Sequence, residues 1–202
     1  MHISEGVLSP GALAAGWAIT AVGTATGLKK LNTERIVRVA LMSSAFFMAS
    51  LVNVKVGPSS THLSLIAPMG LVLGWSAFPA VLTALLLQAL LFSFGGLTVL
   101  GANTVDIGVP ALLVSLIFAD PIRKSSGKTA FCLAFAAGTL AVLLCALLVG
   151  VFLGLTDMNF MGAAKAVLLA HIPVALLEGA ITAFMVGWMK KVSPEFLSGV
   201  YR

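Results

Sequence analysis

The chain has 202 residues, of which 59% are apolar and only 9% charged, with a formal net charge of +5. A soluble domain carries roughly 25% charged residues, so the composition excludes an ordinary globular protein. It leaves no basic face for nucleic acid, and the two cysteines, Cys132 and Cys145, fall in one apolar run as small buried residues and not as a disulfide framework.

Lys, Arg, Asp and Glu are absent from residues 6–28, 56–105 and 129–156. A helix crosses the hydrocarbon core with ~20 apolar residues. Backbone groups in lipid must bond among themselves, so the spans are helices or a closed barrel. Continuous rather than alternating apolar runs exclude the barrel. The reading is an all-α polytopic membrane protein, one transmembrane domain over 1–202.

Residues 1–9 precede the first span. The start lacks a basic stretch and carries Glu5, so no cleavable signal peptide is expected. His2 is large, so Met1 is expected to be retained. The Met1 amine, the His2 amide nitrogen and the His2 imidazole then close fused chelate rings around one ion, a nitrogen set suited to Ni²⁺ or Cu²⁺. A solvated terminal histidine is the alternative.

Spans are expected at 10–28, 36–54, 62–75, 78–94, 104–119, 130–153 and 163–190. Gly23, Gly27 and nearby alanines give the first a small-residue face for close packing. The third is short, and Gly74, Trp75 and Pro79 mark a break after it; it either crosses or is re-entrant. His62, at its start, reads as a fourth nitrogen donor or as part of a helix cap with Ser59, Ser60 and Thr61. Gln88 and Asn53 read as interhelical hydrogen-bond partners.

The loop over residues 94–103 is rich in glycine and ends near Asp106, so its backbone can approach the N-terminal segment closely. Asn103 either caps the fifth helix or orients a ligand. His171 stands two residues before Pro173 and either satisfies a carbonyl freed by the proline or faces a pathway. Glu178, seven residues on, shares its helical face. An ionisable group at that depth marks function or an interhelical bond.

With seven spans and the N-terminus outside, Lys29, Lys30, Arg35, Arg38, Arg123, Lys124, Lys128, Lys190, Lys191 and Arg202 are cytoplasmic, and only Lys55 and Lys165 lie outside. That obeys the positive-inside rule. All three histidines, His2, His62 and His171, then fall in the outer half. The sequence has no Gly-x-x-x-x-Gly-Lys-Ser/Thr loop, no acidic cluster for Ca²⁺ or Mg²⁺, no obvious internal repeat and no recognisable catalytic arrangement.

Five blocks carry a resemblance: Met1-His2-Ile3-x-Glu5-Gly6; Ser60-Thr61-His62; Leu87-Gln88-Ala89-Leu90; Gly95-Gly96-Leu97-Thr98 with Leu100-Gly101-Ala102-Asn103; and Ala170-His171-Ile172-Pro173 with Glu178-Gly179. In this order, over essentially the whole chain, the sequence resembles the cobalt/nickel substrate-specificity subunits of energy-coupling factor transporters, the CbiM/NikM type. The resemblance implies a multi-pass subunit of a prokaryotic cytoplasmic membrane, not itself an enzyme, that captures Ni²⁺ or Co²⁺ outside. It implies a transmembrane coupling subunit and cytoplasmic ABC-type ATPases as partners, with room for a small accessory membrane subunit. It places the ion on the Met1 amine, the His2 amide and imidazole, and the His62 imidazole, in a square plane. Glu5, Asn103, His171 and Glu178 stand as supporting or pathway groups. The residues around His62 leave cobalt against nickel open. The rivals are an intramembrane metalloenzyme using His62, His171 and Glu178, a structural membrane subunit, and a stand-alone secondary metal carrier.

Overall fold

The computed structural model describes residues 3–51, 53–56 and 59–198, without the side chains of residues 34, 53–56, 59, 60 and 198. Helix α1 (Pro10–Lys29) starts where the Ser9 hydroxyl accepts from the Ala12 amide at 3.4 Å, with Pro10 in its first turn. Its buried stripe is Ala12, Gly16, Thr20, Gly23 and Gly27. The small-residue face expected near Gly23 and Gly27 therefore runs the length of the helix. It lets the backbone of α1 come close to α5 (Leu100–Lys124). A Cβ on Gly16 would stand 2.7 Å from the Ala102 amide nitrogen, and one on Gly101 2.7 Å from that of Trp17. The Thr20 hydroxyl donates to the Gly101 carbonyl at 2.7 Å across the same seam.

Helix α2 (Thr33–Ala49) is capped by Asn32, whose side chain accepts from the Arg35 amide at 2.9 Å. It stops short of the expected boundary at residue 54. An antiparallel hairpin follows: β1 (Asn53–Val56) and β2 (Ser59–His62) pair Asn53 with His62 and Val56 with Ser59. Helix was expected on both flanks of this hairpin. Val54, Val56 and Thr61 are β-branched, and two residues separate the strands, which favours pairing over helix. The third helix consequently begins at Ile66 and not at residue 62, and His62 is a strand residue instead of a helix cap.

Helix α3 (Ile66–Leu73) is buried throughout. Its eight residues rise about 12 Å, too little to cross a bilayer alone. The expected break is present: Gly74 has φ 55°, a 3₁₀ turn covers Gly74–Ser76, and α4 (Ala77–Phe92) starts beyond it. Then come α5, α6 (Gly127–Thr156), α7 (Met161–Val192) and the short α8 (Glu195–Ser198). Among the described residues five stretches are long and apolar enough to cross a membrane: Pro10–Lys29, Ile66–Phe92, Leu100–Lys124, Gly127–Thr156 and Met158–Val192. The protein is an all-α polytopic membrane protein with one small hairpin.

The bundle has two polar ends. At one, Lys190 donates to the carbonyls of Arg123, at 3.3 Å, and Ser125, and Arg123 pairs with Asp120. Arg38 donates to the Glu195 carbonyl and lies 5.3 Å over the Phe196 ring. The basic ends of α5 and α7 thus meet there. The other end of α5, about 36 Å away along its 25 residues, receives the N-terminal segment. A small apolar cluster sits there, separate from the main core. It joins Ile3, Leu8 and Ala12 to Val99, Ala102 and Val105, to Val149, Phe152 and Leu153 of α6, and to Ala164 and Val167 of α7.

Candidate metal centre

The chain enters the bundle through a clamp. Ile3 is fully buried, and an isolated buried peptide group costs as much as a lost hydrogen bond. The side chain of Asn103 meets both of its backbone groups: the Ile3 amide donates to Asn103 Oδ1 at 2.8 Å, and Asn103 Nδ2 donates to the Ile3 carbonyl at 3.1 Å. Helix α5 begins at Leu100 with Val99 at its N-cap position, and no side chain caps it. The capping expectation for Asn103 is therefore corrected. Four residues into the helix, its side chain is turned outward to hold another segment.

Glu5 fastens the segment a second time. Its amide donates to the Gly95 carbonyl at 3.0 Å, and its carboxylate accepts from the Thr98 amide at 3.1 Å. The Gly-rich loop does what was expected of it. Gly96 has φ +139°, and a Cβ there would fall on the Glu5 carboxylate; only glycine meets both demands. A third tie runs from the Ser9 amide to Thr156 Oγ1 at 3.1 Å. Residues 3–9 are thus bound to the 93–99 loop, the start of α5 and the end of α6. Met1 and His2, which carry three of the four expected nitrogens, lie outside the described residues.

His62 is buried at the end of β2 and meets Phe46 edge-on, ring centroids 6.3 Å apart. Its Nδ1 lies 2.9 Å from the Leu63 carbonyl. A proton on Nδ1 donated there puts the lone pair on Nε2, the arrangement of a metal-ligating histidine whose other nitrogen is fixed by a hydrogen bond. Glu178 holds the chain just beyond. Its carboxylate accepts from the Ser64 amide, from the Ser64 hydroxyl at 3.1 Å and from the Leu65 amide at 2.9 Å. Leu65 has φ 50°, a left-handed conformation that a leucine keeps only when its surroundings impose it. Glu178 is thus an interhelical anchor at the start of α3, bonded two and three residues beyond His62.

His171 is fully buried on the stripe of α7 that includes Val167, Ala175 and Glu178. Its Nδ1 lies 2.6 Å from the Val167 carbonyl, while Nε2 has no hydrogen-bond partner among the described residues. Pro173 frees the carbonyl four residues before it, that of Leu169, so the proline explanation for His171 is corrected. Gln88 bonds across helices as expected, donating to the Ser50 hydroxyl at the end of α2; the Asn53 side chain lies outside the described residues. Both cysteines are free, Cys145 buried and Cys132 exposed, contrary to the expectation that both are buried.

Among the described residues no three of His, Cys, Asp or Glu gather into a set able to hold a metal. His62, His171 and Glu178 therefore form no three-ligand site, and the Glu178 carboxylate is committed to Ser64 and Leu65. One buried group escaped the sequence reading. Asp106, one turn after Asn103 on α5, is fully buried, and both its oxygens lack a hydrogen-bond partner among the described residues. The signal was available, since Asp106 is the one charged residue in the expected span 104–119.

A family model for the cobalt uptake substrate-specific transmembrane region, CbiM, matches residues 2–196. The chain belongs to the CbiM family. It is 36% identical over 200 residues to a putative metal transport protein of Haemophilus influenzae, covering 98% of this chain and 97% of that one. It is 33% identical to the cobalt transport protein CbiM of Kyrpidia tusciae, over 98% of this chain and 86% of the other. With the fused nickel transport protein NikMN of Rhodobacter capsulatus it shares 30% identity, over 98% of this chain and 64% of the longer relative. A crystal structure of a transition metal transporter superposes with a TM-score of 0.79 at 25% identity, covering 95% of this chain and 93% of that one. A CbiM-family protein is a component of cobalt or nickel transport across a membrane.

Proposed function

We propose that this protein is the cargo-binding membrane subunit of an ATP-driven, energy-coupling-factor-type importer of Ni²⁺ or Co²⁺. The Met1 amine, the His2 amide nitrogen, the His2 imidazole and the His62 imidazole hold the ion in a plane. The observation that carries this reading is the two-bond clamp of Asn103 on Ile3, because it fixes the chain at the residue next to the proposed chelate. Glu178 fixes the other donor in the same way, two residues beyond His62. The two segments meet one stripe of α7, where Val167 packs in the cluster of Ile3 and Glu178 holds Ser64. Eleven residues of helix separate these points by roughly 16 Å. Two residues of extended chain span at most about 7 Å, so the arms 1–2 and 62–64, with their imidazoles, are long enough to meet across the gap.

The basic end of the bundle supports the orientation with the N-terminus outside and the C-terminus in the cytoplasm. The ion arrives hydrated and loses water as the four nitrogens take its equatorial positions. The His2 amide binds as an anion, so chelation releases a proton, and acid reprotonates the amine and imidazoles; affinity rises with pH. Hydrolysis of ATP belongs to partner ATPases acting through a transmembrane coupling subunit, consistent with the absence of a phosphate-binding loop from the sequence.

The test is to place one glycine before Met1, or to acetylate the amine, and to titrate the purified protein with Ni²⁺ and Co²⁺. Loss of binding with an unchanged melting temperature is the expected result. Binding retained with a blocked amine would sink the chelate.

A further inference from the structure

Helix α5 presents two polar groups one turn apart on the side facing the N-terminal segment. Asn103 holds the backbone of Ile3, and residues three apart lie on one helical face. Asp106 follows at that interval, and its neighbours on α5, Ala102 and Val105, pack in the cluster that contains Ile3. The Asp106 carboxylate is 0% exposed, and neither oxygen has a hydrogen-bond partner among the described residues. The basic residues of α5, Arg123 and Lys124, stand at its far end, about 25 Å away at helical rise. A carboxyl group taken out of water with no hydrogen-bond donor among the described residues is among the costliest groups a protein can bury. Within a membrane segment such a group marks function.

The proposed chelate has the opposite defect. A divalent ion held by a neutral amine, two neutral imidazoles and one amide anion keeps a net charge of 2 − 1 = +1. That charge would lie at the apolar junction of α5, α6 and α7. Resting on the chelate reading above, we propose that Asp106 is the counter-charge of the captured Ni²⁺ or Co²⁺. It stays outside the square of nitrogens and makes the loaded site neutral. The residues before Ile3 reach at most about 7 Å from it, and Asp106 lies about 4.5 Å along the helix from Asn103. At a separation of ~7 Å and an effective dielectric constant near 20, the attraction of unit charges is worth about 50-fold in affinity.

A role of this kind separates stability from binding. In the empty protein a buried carboxyl group without a hydrogen-bond donor among the described residues is a liability, so removing its charge should raise the melting temperature while weakening the ion. A merely structural Asp106 would lower both.

The experiment uses the full chain, purified empty, as wild type, Asp106→Asn and Asp106→Glu, with Ni²⁺ alone as the probe. Affinity is measured by competition against a chromogenic chelator, the ligand-field absorption of bound Ni²⁺ is recorded, and each empty protein is melted. For Asp106→Asn the expected result is a loss of about 50-fold in Ni²⁺ affinity, an absorption band at the wild-type position and a higher melting temperature. Asp106→Glu should recover most of the affinity. Affinity of Asp106→Asn within threefold of wild type, a displaced band, or a lowered melting temperature overturns the proposal. If Asp106→Asn does not fold, Asp106→Glu decides alone: affinity and band near wild type sustain the counter-charge, and tenfold weaker binding refutes it. The wild type with one glycine before Met1 is titrated alongside. Binding retained there refutes the chelate itself. Binding lost there while Asp106→Asn binds normally refutes only the counter-charge.

Discussion

Replacing Asn103 with alanine removes both hydrogen bonds to Ile3 and leaves the Ile3 amide and carbonyl buried without these partners, since Ile3 is fully enclosed. A buried polar group left unmet costs about 1–3 kcal/mol, and two such groups give about 2–4 kcal/mol after some relaxation. The segment retains its ties at Glu5 and Ser9, so the cost is met by local detachment of the first few residues and not by unfolding of the bundle. Detachment competes directly with chelation. At 1.4 kcal/mol per decade, Ni²⁺ affinity should fall about 30- to 1,000-fold. Asn103→Asp keeps the acceptor for the Ile3 amide and loses the donor to its carbonyl, and should fall between the two. Affinity is read by competition against a chelator and the state of the bundle by thermal melting in detergent. An Asn103→Ala protein that binds Ni²⁺ within threefold of wild type would refute the idea that this clamp positions the metal donors. So would an equal loss of affinity and of bundle stability.

Glu178→Gln should weaken Ni²⁺ binding about tenfold, because charge-assisted bonds to the Ser64 and Leu65 amides become neutral ones at a difference of about 1–1.5 kcal/mol. Glu178→Ala should weaken it more, and wild-type affinity in both would dissociate Glu178 from the placement of His62. Gly16→Leu should lower the melting temperature sharply or abolish assembly of the bundle, since even its Cβ would stand 2.7 Å from the Ala102 amide nitrogen; an unchanged melting curve would contradict the close α1–α5 seam.

The helices were legible because length and apolarity are local properties. The uncharged run over 129–156 became α6 with nearly those bounds, and Gly74 with Pro79 marked the break between α3 and α4. The hairpin at Asn53–His62 was not legible. Its strands are four residues each and sit between apolar helices, where a periodic pattern is too short to separate strand from helix. At Asn103 the residue type suggested either a cap or a group orienting a ligand, and its partner excluded the cap. That partner is Ile3, 100 residues away, and no local spacing specifies such a pairing. Asp106 was overlooked for a different reason: its charge was visible, but its want of partners is a property of the packed bundle.

By itself the sequence determined the solvent of this protein, the helical form that solvent demands and the small-residue face of α1 at Gly23 and Gly27, and it supplied Met1, His2 and His62, on which the proposed chelate rests. These follow from composition and from spacing along one segment. The tertiary structure decided what holds the neighbouring segments: Asn103 on Ile3, Gly95 and Thr98 on Glu5, Glu178 on Ser64 and Leu65, and an Asp106 one turn below the clamp with no hydrogen-bond partner among the described residues. In a membrane interior every polar group must find its partner within the protein, and which partner it finds is set by helices brought together from distant parts of the chain.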